Sequence, residues 1–154
     1  MPTIVRTRTL PAGREALWAV VSDPHHLPRW WPRVERVEEA SAAAWTEVLR
    51  SPKGKSLRAD FTRVRAEAPR RIVWRQEVTG SPFERILAEA VTEVLLEPAE
   101  AGSTRVQIRA VQRLRGFALL GSLLMRRSTK RILDEALDGL ARIAVPSAGA
   151  EPRS

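Results

Sequence analysis

Apolar and polar positions alternate over much of the chain. Ile72, Trp74, Gln76 and Val78 interleave with Val73, Arg75 and Glu77, and Leu57, Ala59 and Phe61 interleave with Arg58, Asp60 and Thr62. Trp45, Glu47 and Leu49 do the same against Ala44, Thr46 and Val48. A period of two places successive side chains on opposite faces and predicts half-buried strands. The same pattern predicts a first strand over residues 3–10, with Ile4, Arg6, Arg8 and Leu10 on one face. Further strands are predicted over residues 33–40, where Val34 and Val37 are weak markers, and over residues 83–97, a run long enough to require strong curvature or a bulge. In the last strand Val106, Ile108, Ala110 and Gln112 face the core, opposite Arg105, Gln107, Arg109 and Arg113.

Three segments change to helical spacing. Ala16, Leu17, Val20 and Val21 share one face of a helix over residues 12–22, with Trp18 beside it. Asp23 caps the next turn and Pro24 suits its first position. Leu27, Trp30 and Trp31 then form a very short helix over residues 25–31, which Pro32 ends. Leu120, Leu123, Leu124, Leu133, Leu137, Leu140 and Ala144 recur along a long helix over residues 117–145, with an i,i+4 pair expected between Lys130 and Asp134. The resulting class is α+β, a seven-stranded antiparallel sheet with one face to cover and one helix long enough to cover it. Small inner-face residues, Ala59, Ala88, Ala90 and Ala110, leave room for a mostly apolar cavity, with Trp45 or Trp74 on one wall.

Composition narrows the chemistry. The 154 residues fit one domain, expected over residues 1–146, followed by an unstructured tail over residues 147–154. Cysteine and tyrosine are absent, which excludes disulfides, thiol nucleophiles, cysteine-based zinc sites and phenolic acids. The start lacks a signal-peptide apolar core, and the longest apolar stretch, residues 116–125, is about half a membrane span. A cytoplasmic location is expected. Lys and Arg number 26 against 18 Asp and Glu, a net charge of +8. Residues 101–133 carry eight cations and no acid: Arg105, Arg109, Arg113, Arg115, Arg126, Arg127, Lys130 and Arg131. Such a stretch reads as solvated sheet and helix faces, or as a patch that attracts an anion or an acidic surface.

The segment Leu17-Trp18-Ala19-Val20-Val21-Ser22-Asp23, followed by His25-His26-Leu27-Pro28-Arg29-Trp30-Trp31-Pro32, carries a resemblance. With the order of elements, it resembles the START-like, or Bet v 1-like (SRPBCC), superfamily, and within it the polyketide cyclase/dehydrase and lipid-transport branch. Members commonly show an aspartate after the first helix and a Trp-Pro before the second strand; Asp23, Trp31 and Pro32 occupy those positions. The resemblance covers about residues 3–145. It implies a helix-grip fold, a curved seven-stranded antiparallel sheet around the long C-terminal helix, with two short helices after the first strand and a pocket between sheet and helix. Relatives include polyketide aromatase/cyclases, plant carriers of hydrophobic ligands, lipid-transfer domains, coenzyme Q-binding proteins and chaperone cofactors, so fold alone does not decide function.

Two readings follow. One is a binding or carrier module for a hydrophobic, lipid-like or polyketide-like molecule; the other is a polyketide cyclase, dehydratase or aromatase using a few polar pocket groups for enolisation and proton transfer. Candidate aromatic and apolar ligand contacts are Trp30, Trp31, Trp45, Phe61, Trp74, Ile108, Leu120 and Leu124, with Ala59, Ala88 and Ala90 making space. Gln76 follows Trp74, and Gln112 follows Ile108 and Ala110, so both amides are candidates to orient a polar ligand end. A one-residue slip would reverse these faces, and those of Glu47 and Asp60. Arg58 and Arg109 have the reach to hold a carboxylate or phenolate. No catalytic triad or glycine-rich phosphate loop is apparent. The adjacent His25 and His26 are poorly spaced for a metal, and neither metal nor cofactor is expected. The expected partner is a hydrophobic small molecule and not a nucleic acid; an acidic membrane surface met through residues 116–131 and a second copy in a homodimer are the further partners considered.

Overall fold

A computed structural model describes residues 3–51, 53–81, 83–116 and 119–144, with the side chains of residues 119 and 120 excepted. The expected helix start at Phe117, the side chain of Leu120, the turn residues Pro52 and Pro82, and the tail lie outside the described residues. Seven antiparallel strands form one sheet: β1 (Thr3–Leu10), β2 (Val34–Glu38), β3 (Ala44–Arg50), β4 (Ser56–Glu67), β5 (Arg71–Glu77), β6 (Leu87–Pro98) and β7 (Thr104–Leu114). Their spatial order is β1-β7-β6-β5-β4-β3-β2, so the first two strands are the two edges. The chain crosses between those edges through α1 (Arg14–Val21) and α2 (Leu27–Trp30), and α3 (Leu119–Ala144) closes the concave side. This is the helix-grip architecture expected from the sequence. No helix among the described residues is long and apolar enough to cross a membrane.

Local chemistry explains the crossing. Asp23 has extended backbone and its Oδ1 accepts the His25 amide at 3.0 Å, capping the turn that runs into α2. At the C-terminal end of α1, beside this cap, the Arg63 guanidinium donates to the Ser22 carbonyl, placing a cation at the negative helix terminus.

Three register shifts curve the sheet, between Val34 and Arg36, between Arg63 and Arg65, and between Leu87 and Glu89. Each changes the face of the residues beyond it. Val34 and Val37, three apart and therefore of opposite parity in a regular strand, both come to the inner face, opposite Leu49 and Glu47. The expected inner placement of Ala88 is corrected in the same way, while Ala90 stays inward. Ala88 is the extra bulge residue, Leu87 takes the buried position, and the strand proper starts at Leu87 because residues 83–86 form turns.

The core forms where α3 meets the sheet. Leu133, Ala136, Leu137, Leu140 and Ala144 of α3 pack with Val94, Leu96, Val106 and Ile108. Arg6 makes two 3.1 Å bonds to Asp134, and Arg8 pairs with Asp138, tying β1 to the same helix. Asp134 is thus engaged by Arg6, and the expected Lys130–Asp134 pair is replaced by this tertiary one. On the outer face, Arg105, Arg109 and Arg113 of β7 sit opposite Glu97, Glu93 and Glu89 of β6, at 3.6, 3.6 and 3.9 Å. Three of the eight cations in the acid-free stretch therefore meet acids supplied by the neighbouring strand.

Gly139 lets α2 lie directly on α3. A Cβ at this position would stand 2.4 Å from the Trp30 carbonyl oxygen and 2.6 Å from its Cα, both backbone atoms. Gly139→Ala is expected to cost about 1–3 kcal/mol, overpacking outweighing the gain in helix propensity. Urea denaturation of the variant checks this; unchanged stability would show that α2 can shift freely.

Candidate functional site

Between the sheet and the first half of α3 lies a cavity of about 310 Å³, at the small end of the range for small-molecule sites. Trp74, Phe61, Leu87 and Ala110 line it from the sheet, Met125, Ile132 and Leu133 from α3, and Trp31 from the crossing segment. An aromatic chain braces one wall. Trp31 meets Trp30 edge-on at 5.3 Å and Trp74 at 5.8 Å, Trp74 meets Trp45 at 6.1 Å, and Trp45 stacks on Phe61 at 5.8 Å.

The polar groups in this wall are few. Glu47 lies on β3 two residues after Trp45, so both face inward. It is 3% exposed, and the Trp45 indole N–H donates to its Oε2 at 3.0 Å. Burial pushes the Glu47 carboxyl up to about 7, and the indole bond, which favours the ionised form, does not overcome it. Arg50, which also lines the cavity, pairs with Glu35 instead. Gln76 lines the cavity from β5, and its buried amide nitrogen has no hydrogen-bond partner among the described residues. An unpaired buried donor is costly, so a ligand acceptor would satisfy it. Gln112 also lines the cavity, and its Oε1 accepts from the Thr129 hydroxyl of α3 at 3.1 Å. Thr92 completes the polar set on the sheet, and Arg33 and Arg50 stand exposed at the rim.

The structure thus brings Trp31, Phe61, Trp74, Gln76, Ala90 and Gln112 together around one space. Leu120 lies outside the described side chains, and the remaining candidates lie elsewhere. Trp30 is buried beneath α3, and Ile108 is fully buried in the core away from the cavity. Trp45 and Ala59 are buried beside Glu47 without lining the space: Trp45 is its hydrogen-bond donor, Ala59 its cross-strand partner. Ala88 is displaced by its bulge. Leu124 is 57% exposed, because the cavity-facing stripe of α3 is Met125, Thr129 and Ile132, about 100° around the helix. Arg58 pairs with Glu38 and Arg109 with Glu93, so neither points to the cavity. His25 and His26 gather around Asp23 outside it, with Nδ1 of His25 at 3.0 Å from Oδ1.

Sequence parity left Glu47 undecided. Its signal was the alternation with Trp45 and Leu49, which the structure shows to be regular through β3. Thr129 was missed because a threonine in a leucine-rich helix carries no pattern of its own.

Comparison with known proteins places this geometry. The sequence matches, over residues 1–145, the family described as polyketide cyclase/dehydrase and lipid transport. No curated protein is a match. Among solved structures, the di-domain aromatase/cyclase BexL from the BE-7585A biosynthetic pathway is 20% identical with a TM-score of 0.79, covering 98% of this chain and 48% of that one. DR_A0006 from Deinococcus radiodurans is 23% identical with a TM-score of 0.65, covering 95% and 97%. A START superfamily protein from Mycobacterium smegmatis is 12% identical with a TM-score of 0.75, covering 92% and 96%. At these identities the likeness speaks to fold. Family match, sheet order and helix-enclosed cavity agree, and the chain belongs to the polyketide cyclase/dehydrase and lipid transport family.

Proposed function

We propose that the protein is a cyclase/dehydratase acting on a small poly-β-ketone, with Glu47 as its acid–base group. The observation that carries this reading is a buried carboxyl, pushed up to about 7, in the wall of a largely apolar cavity. A carboxyl in that range exchanges protons in both directions near neutral pH. As base, ionised Glu47 takes a proton from carbon next to a ketone. The enolate oxygen accepts from the unpaired Gln76 amide. The enolate carbon attacks a second carbonyl in the same folded molecule, forming the carbon–carbon bond, and Glu47 returns the proton to the new alkoxide. Loss of that hydroxyl as water, with a neighbouring C–H proton, completes the dehydration. No electrons are exchanged with an outside partner. Trp31, Trp74 and Phe61 hold the chain in the folded shape that brings the two carbons together. The BexL likeness supports this reading.

Heptane-2,4,6-trione, which closes to orcinol with loss of one water, is a probe of suitable size. The protein is expected to accelerate orcinol formation, followed by liquid chromatography, over buffer at pH 7. Tryptophan quenching by the trione with no acceleration would favour the carrier reading, for which the apolar lining is the supporting observation. Neither binding nor turnover would sink both.

A further inference from the structure

At the rim, Arg33 follows Pro32 and immediately precedes β2, with φ of 69°, in the left-handed region that non-glycine residues adopt at a cost. Glu39 and Ala101 share that conformation, but they lie in turns away from the cavity. Glycine or asparagine would suit the position of Arg33 better. Its kink is held by its own carbonyl, which accepts the Arg50 amide at 2.9 Å. Both side chains line the cavity rim and are exposed. Arg50 is neutralised by Glu35, whereas Arg33 forms no ion pair among the described residues. Lys53 and Lys55 stand exposed in the turn just after Arg50. Arg33 is therefore a cation without an ion pair at the mouth of a cavity whose one lining acid among the described residues is Glu47, and of the acids Glu135 and Asp138 that share a neighbouring groove with it, Asp138 is already paired with Arg8.

We infer that the cavity takes amphipathic anions, with a carboxylate held at the rim by Arg33 while the apolar body enters toward Trp74. This rests on the cavity reading above and narrows its substrate class to molecules with one anionic end. A planar guanidinium suits a carboxylate through paired N–H bonds, and a rim position leaves that end in water while the rest is buried. Backbone strain of this kind concentrates at ligand-contacting positions.

The test compares 2-naphthoate with 2-naphthamide, which share a ring system and differ in charge, using the full chain with calorimetry and tryptophan quenching. In the wild type, naphthoate is expected to bind about tenfold tighter at low salt, the size of one charge-assisted hydrogen bond, and the ratio should shrink at high salt. In Arg33→Gln the two affinities should converge, and Arg33→Lys should recover part of the difference. Arg33→Gly should also lose the preference while raising Tm by about 2–4 °C, since glycine relieves the kink. Equal affinities in the wild type, an unchanged ratio in Arg33→Gln, or a lower Tm in Arg33→Gly would each overturn the inference and leave the cavity reading standing. Failure of both compounds to bind would remove the cavity reading with it.

Discussion

Exchanging Glu47 for glutamine is expected to slow orcinol formation by about 10²–10⁴-fold, the usual contribution of a positioned acid–base group. The same substitution is expected to stabilise the protein at alkaline pH. The unfolded carboxyl titrates near its ordinary value of 4.5, the folded one near 7. Between those values the folded protein holds a proton that the unfolded chain has released. Stability therefore falls as pH rises through this window and stays low above it, by roughly 3 kcal/mol in all. Glu47→Gln has no such slope. At pH 8 it should exceed the wild type by about that amount, and at pH 4 the two should match. Glu35, Glu38 and Glu67 are held below their ordinary values, chiefly by hydrogen bonds from Arg50, Arg36 and Arg65 respectively. They shape the acid limb equally in both proteins and cancel from the comparison. Urea denaturation across this pH range checks the stability; parallel curves would show that Glu47 is hydrated and not poised for proton transfer. In the wild type the rate should inflect near pH 7, and in the variant that inflection should vanish.

Trp74→Ala is the second large effect, an expected loss of about 3–5 kcal/mol. Trp74 is 3% exposed and touches both Trp31 and Trp45 edge-on, so its removal takes away apolar burial and two aromatic contacts together. The void would join the existing cavity rather than close, because the sheet beneath is fixed by its strand pairing. Water then reaches Glu47, its carboxyl returns toward the ordinary range, and the pH slope just described should flatten. Trp74→Phe should cost less and keep more of that slope. Denaturation at pH 5 and pH 8 measures both effects; a Trp74→Ala protein as stable as the wild type would mean that this wall is already loosely packed.

Much of this arrangement is readable from the sequence where strands are regular. β3 and β5 keep strict alternation, so Trp74 and Gln76 fall inward as their neighbours predict. α3 shows its core stripe through Leu133, Leu137 and Leu140. Reading fails at the bulges. Ala88 shares parity with Ala90 in the sequence, yet one extra residue at the register shift moves it out of the series. The length of the run over residues 83–97 signals curvature or a bulge, but the alternating pattern does not mark its position, which depends on how the partner strand is spaced. Leu124 fails for a different reason. Its apolar character fits a buried stripe, but facing a cavity depends on helix rotation, and Met125 and Thr129 take that side. The acid-free stretch misleads because the acids that answer three of its arginines come from β6, earlier in the chain and beside it in space.

Those outer-face pairs bear on how the site is assembled. Glutamates at 89, 93 and 97 face arginines at 113, 109 and 105 in one alignment of β6 and β7. A displacement by two residues is the smallest that would keep the inner face inward. It would set Arg109 against Val91 or Leu95 and leave Glu93 and Glu97 unanswered in either direction. Each pair adds little to stability by itself. Together they discriminate between alignments that an apolar inner face would tolerate almost equally. Charges on the solvent side thus decide which of Ala90 and Thr92 comes to rest beside which of Ala110 and Gln112, and through them the shape of the floor on which a substrate would lie.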